Sequence, residues 1–101
     1  MTSLLRTEVF DAWLRSLRDL QGRARIDMRI RRLANGNPGD VRPVGRGVSE
    51  LRIDTGPGYR VYFAGRGDEL ILLLAGGDKS SQSRDIGSAL ALWNDWKAVN
   101  P

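Results

Sequence analysis

The spacing of apolar residues changes period along the chain and divides it into elements. Phe10, Trp13, Leu14, Leu17 and Leu20 recur at helical spacing, which gives one apolar face. Thr7 stands where an N-cap belongs, and Glu8 and Asp11 fall in the first turn, where acids suit the helix dipole. This predicts a helix over 8–20. Gln21-Gly22 breaks the pattern, and Ile26, Ile30, Leu33 and Ala34 form a second stripe. Gly36 suits the C′ position and Pro38 prevents continuation, so a second helix is expected over 22–35, paired with the first as an antiparallel hairpin. Ser3 to Arg6 reads as a short first strand. The stretch from Asn35 to Gly47 holds two prolines and four glycines and reads as the longest loop.

After this loop the period falls to two. Strands are expected at about 48–54, 59–65 and 69–76, joined by turns at Thr55-Gly56-Pro57-Gly58 and Arg66-Gly67-Asp68. Leu51, Ile53, Tyr59, Val61 and Phe63 share one parity and should face the helices, whereas Glu50, Arg52, Asp54, Arg60 and Tyr62 should face outward. The turn would set Arg52 opposite Arg60, and like charges directly opposed are unfavourable. Either an anion joins such a pair or Glu50 and Asp54 neutralise it. The third strand, "ELILLLAGG", is apolar on both faces and belongs inside the sheet. Gly76-Gly77 is read as the point where the backbone leaves it. A last helix starts near Ser80 or Ser81, with Ile86, Ala89, Leu90, Trp93 and Trp96 on its apolar side. The order β-α-α-β-β-β-α describes an α+β protein, with helices packed on one face of a small, mainly antiparallel four-stranded sheet, and 101 residues suit a single domain, 1–101.

Charge narrows the chemistry. The formal net charge is +4, with no cysteine and no histidine, and 14 of the 16 basic residues are arginine. Thiolate and imidazole metal sites are thereby excluded, and neither a metal nor a cofactor is expected. A polyanionic partner such as nucleic acid, or an acidic protein, is favoured. The longest apolar run, Leu70 to Ala75, is too short to span a bilayer, and the charged N-terminal stretch does not read as a signal peptide. A cytoplasmic protein is expected. Three groups carry candidate chemistry: Arg52 and Arg60 on the sheet; Lys79, Gln82, Arg84 and Asp85 at the start of the last helix, where free N–H groups attract anions; and the basic second helix, with Arg23 and Arg29 among its arginines. A solvated charged surface is the alternative for each.

The segments "GVSELRID", "GPGYRVYF" and "LLAGGDKS", in this order and spacing, resemble the RelE/ParE toxin superfamily, and are most similar to its HigB-like addiction-module killer branch. The similarity spans essentially the whole chain. It implies a RelE-like microbial RNase-type fold. It also implies a type II toxin that inhibits translation by ribosome-dependent mRNA cleavage, an endoribonuclease. Such cleavage needs a base, an acid and cations aimed at the charge that develops on phosphorus. The resemblance implies Arg60 as phosphate stabiliser, Arg52 and Lys79 as further cations, and Asp85 as a group that contacts or activates substrate. Arg23, Arg29, Gln82 and Arg84 are expected to contact the RNA. The implied partners are the ribosome with its mRNA and a cognate helix-turn-helix antitoxin, with DNA bound only through the antitoxin complex. The chain departs from ribosome-dependent relatives by carrying Glu50 in place of a strand lysine. Two alternatives stay open: a gyrase poison of the ParE kind, and a toxin-derived binding partner or corepressor.

Overall fold

The computed structural model describes Thr2 to Pro101; the expected single domain begins one residue earlier, at Met1, which lies outside the described residues. The chain forms β1 (Ser3–Arg6), α1 (Glu8–Ser16), α2 (Leu20–Ala34), β2 (Val41–Gly45), β3 (Val48–Ile53), β4 (Tyr59–Arg66), β5 (Leu70–Asp78), a single 3-10 turn (Lys79–Ser81) and α3 (Gln82–Val99). The result is a mixed α+β fold with a five-stranded sheet in the order β1-β5-β4-β3-β2. Pairing is antiparallel except between β1 and β5.

Local chemistry accounts for the helix ends. Thr7 Oγ1 accepts the Phe10 N–H at 3.0 Å and donates to the Leu74 carbonyl at 2.6 Å, so the α1 cap also fastens the helix to β5. The helical stripe predicted over 8–20 divides at Leu17, because Asp19 caps a new helix by accepting the Gly22 N–H at 2.9 Å. Gly36 follows α2 with a φ of 83°, which glycine adopts without strain.

Two further corrections concern the sheet and its layers. The stretch read as a loop from Asn35 to Gly47 contains an edge strand, β2, which pairs with β3. Pro43 is tolerated because only one side of an edge strand needs donors. The second correction is larger. Helices pack on both faces of the sheet. On one face α1 and α2 cover Leu51, Ile53, Tyr59, Val61 and Leu73, with Phe10, Leu14, Ile26, Ile30 and Leu33 completing that core. On the other, α3 lays Ala89 and Trp93 over Val48, Tyr62, Ala64, Leu72, Leu74 and Ala75. The face expected to be solvated is therefore a second core: Tyr62, Glu50 and Arg60 are 0, 1 and 6% exposed.

Two details of β5 make this layering possible. A bulge lets Tyr62 pair with Ala75 while the adjacent Phe63 pairs with Leu73, so Leu74 and Ala75 both join the α3 core. Gly76 and Gly77 do not release the chain from the sheet; both lie within β5. Their missing side chains make room on opposite faces, Gly76 for the Trp13 ring and Gly77 for the Asp85 carboxylate, and a Cβ at either position would overlap those groups.

Candidate functional site: an arginine-lined cleft

The β3–β4 register places Arg52 directly opposite Arg60, and Arg60 pairs in turn with Gly77 of β5. One row earlier stand Glu50, Tyr62 and Ala75. Two arginines opposed across a sheet repel each other, and Glu50 offsets this. Its Oε1 lies 3.8 Å from Arg52 Nε and 3.9 Å from Arg60 Nε. Its Oε2 accepts the Tyr62 hydroxyl at 3.0 Å and the Gln82 amide at 2.8 Å. Burial, together with the neighbouring Glu50 carboxylate, pushes the Tyr62 hydroxyl far above its ordinary range, so it remains a neutral donor. The arginine Nε atoms are attracted to Glu50 without being hydrogen-bonded by it. Both are buried and lack a hydrogen-bond partner among the described residues.

The arginine heads open on a cleft of about 320 Å³, lined by Asp40, Arg52, Asp54, Gly58, Arg60 and Lys79. Lys79 is exposed at its lip. Gly58, with a φ of 82°, brings the β3–β4 turn alongside Lys79. From the far side, Arg29 donates to the carbonyls of Arg52 at 2.7 Å and Pro38 at 3.0 Å, binding the end of β3 to the segment that carries Asp40. Burial lowers the pKa of this guanidinium, and the charge of Arg32 adds to the effect.

The candidate residues divide accordingly. Arg52, Arg60 and Lys79 line one cleft. Asp85 does not line it; its carboxylate lies against Gly77, accepts the Ser81 hydroxyl and pairs with Arg84 Nε at 3.7 Å. Asp85 thus ties the start of α3 to β5. Gln82 is bound to Glu50 and Arg29 to backbone carbonyls, so both position the cleft walls. Arg23 is partly buried on α2, and Arg84 is exposed beside a neighbouring hollow that it shares with Lys79. Asp78 caps the 3-10 turn. Bonds from the Ser80 hydroxyl and N–H hold its carboxyl below the usual range.

Sequence reading did not identify Glu50 as the hub of the site or Asp40 as part of its rim. The signal for Glu50 was its shared parity with Arg52 and Tyr62, combined with an apolar side on α3 that needed a sheet face to cover. Asp40 carries no comparable signal, because its proline- and glycine-rich segment reads as loop. Among the described residues no group of acidic, histidine or cysteine side chains is placed to hold a metal ion, and no helix is long and apolar enough to cross a membrane.

Fold and cleft together define a small mixed α+β protein with cations gathered at one end of its sheet. Residues 12–88 match the family model "Phage derived protein Gp49-like (DUF891)", and the chain belongs to this family, a RelE-like toxin family of the addiction-module type. An uncharacterized protein of Haemophilus influenzae is 48% identical to it over 93 residues, which cover 91% of this chain and 94% of that protein. No solved structure matches the chain.

Proposed function

We propose that the protein is the toxin of a type II toxin–antitoxin pair of the HigB-like kind, and that it cleaves mRNA on the ribosome. The observation that carries this reading is the opposed Arg52–Arg60 pair, whose Nε atoms are buried and unpartnered and whose heads open on a cleft. Such a pair is poised for an anion, and arginine's planar fork suits phosphate oxygens. In the reaction the ribose 2′-oxygen attacks the adjacent phosphorus and the 5′-oxygen leaves, giving a cyclic phosphate and a free 5′-hydroxyl. Arg52 and Arg60 stabilise the charge that builds on the non-bridging oxygens. Asp54, exposed on the same cleft, takes the proton of the 2′-hydroxyl, in place of Asp85, which the resemblance implies as the group that contacts or activates substrate. Lys79 gives a proton to the leaving oxygen. A cytoplasmic helix-turn-helix antitoxin holds the toxin inactive, and the complex binds operator DNA through that partner.

A second reading, inhibition by binding alone, draws support from the rim carboxylates Asp40 and Asp54, which oppose the cleft cations. Induced expression with mapping of mRNA 5′ ends separates the readings. Cleavage predicts growth arrest and new 5′ ends within translated reading frames, both lost in Arg52→Ala/Lys79→Ala. DNA breaks without RNA cuts would replace it with gyrase poisoning. If neither appears, and the neighbouring small reading frame still co-purifies, a binding partner or corepressor remains.

A further inference from the structure

We propose that Glu50 is a specificity-determining counter-charge, which limits the opposed arginines to a net charge of +1 and so matches the cleft to a phosphodiester in preference to a doubly charged phosphate terminus. This rests on the phosphate-binding reading of the cleft and adds to it the charge state of the ligand. Two guanidinium cations share the single Glu50 carboxylate at 3.8 and 3.9 Å. All three groups are withdrawn from water to different degrees, Glu50 almost completely, so their charges are felt with little screening. Asp40, Asp54 and Lys79 are exposed at the rim, where water weakens the effect of their charges, two negative and one positive, relative to the more buried trio.

The geometry also explains why Glu50 does not simply neutralise one arginine. A carboxylate within hydrogen-bond distance of one guanidinium would commit both to a closed pair. Here Oε2 is occupied by Tyr62 and Gln82, which hold the carboxylate back. Oε1 is left equidistant from the two arginines and bonded to neither. Tyr62 is kept neutral by its surroundings, so it adds no charge of its own to the network. An internal RNA phosphate carries one negative charge, whereas a terminal phosphate above its second pKa carries two. A site with a surplus of one positive charge meets the first without an unmatched remainder.

The test measures affinity on purified protein at low salt and pH 8, without ribosomes, by NMR titration. The probes are thymidylyl-thymidine, a non-cleavable diester of charge −1, and thymidine 5′-monophosphate, of charge −2. The quantity read is the change in the affinity ratio between variants, which cancels contacts to the nucleosides. E50Q raises the arginine pair to +2 and should tilt the ratio toward the monophosphate by on the order of tenfold, the effect of one added charge a few ångströms from the ligand. E50Q/R52Q returns the surplus to +1 and should restore the wild-type ratio, although affinity for both probes falls. Should E50Q alone not fold, R52Q takes the surplus to zero and must tilt the ratio the other way. An unchanged ratio in the folded single variants overturns the inference while leaving phosphate binding intact, as does a double variant further from wild type than E50Q. Failure of the wild-type protein to bind either probe overturns the phosphate-binding reading as well.

Discussion

Tyr62→Phe removes one oxygen from a fully buried site and leaves the ring that packs against α3 in place. Its effect can be worked out closely. The hydroxyl donates to Glu50 Oε2 at 3.0 Å, and among the described residues only Gln82 supplies that carboxylate with another hydrogen bond; the two arginine Nε atoms stand too far away to replace it. A hydrogen bond to a charged group contributes about 1.5–3 kcal/mol. No cavity beyond a single oxygen is created, so a loss of about 2 kcal/mol is expected from the bond itself, or about 10 °C in Tm for a protein of this size. Urea unfolding at pH 7 reads this as a lowered midpoint at constant slope.

The alkaline limb gives a second reading of the same bond. The native pKa of Tyr62 is raised above that of an unfolded tyrosine, near 10. Its contribution is therefore complete below pH ~10 and is lost as pH rises, because the unfolded chain releases the proton first. Tyr62→Phe should flatten the fall in stability above pH ~10, leaving the smaller share of Tyr59, whose pKa burial also raises. A loss under ~0.5 kcal/mol together with an unchanged alkaline slope would refute the reasoning, since the hydroxyl would then not be bound to Glu50 in the native state.

Other perturbations probe the remaining joints. The Gly22 N–H and the Tyr59 hydroxyl hold the Asp19 carboxyl below its usual pKa; its stabilising effect is present above pH ~4 and lost as pH falls, so Asp19→Asn should lower stability at pH 7 and flatten the acid limb of the stability curve. Gly76→Ala drives a methyl group into the Trp13 ring and should cost about 1–3 kcal/mol, with a change in tryptophan fluorescence as the marker. Arg60→Ala should destabilise by about 1–3 kcal/mol, since it removes a buried side chain and one of the two cations beside Glu50, while Arg52, Tyr62 and Gln82 remain. Loss of toxicity in that variant would not by itself identify the site. Lys79→Ala, at an exposed position, should abolish growth arrest with Tm shifted by no more than about 2–4 °C, as expected for a change within about ±0.5 kcal/mol.

Much of this protein is legible in the chain itself. Periodicity located both N-terminal helices, because each spans enough turns for its stripe to repeat, and the Thr7 cap and the Gly36 stop are local signals that act through their own backbone neighbours. The alternation across the β3–β4 hairpin fixed its register, so the Arg52–Arg60 opposition followed from turn length alone. Leu51 and Phe63 on one side of the sheet follow from the same parity. What lies on the other side depends on where α3 returns, and no local pattern encodes that. Once α3 covers the face of Glu50, Arg60 and Tyr62, groups that would be a solvated charge pattern become a buried network. The same return explains Gly77, where the Asp85 carboxylate of α3 excludes a side chain; Gly76 is kept bare from the opposite face by Trp13 of α1. The return of α3 also separates Asp85 from the cleft that its place in the sequence suggested. Helices, caps and register were determined by neighbours in sequence, through hydrogen bonds a few residues apart. The layering, and with it the electrostatic state of the arginine pair, was decided only when α3, which begins 22 residues after Arg60 at Gln82, removed water from one face of the sheet.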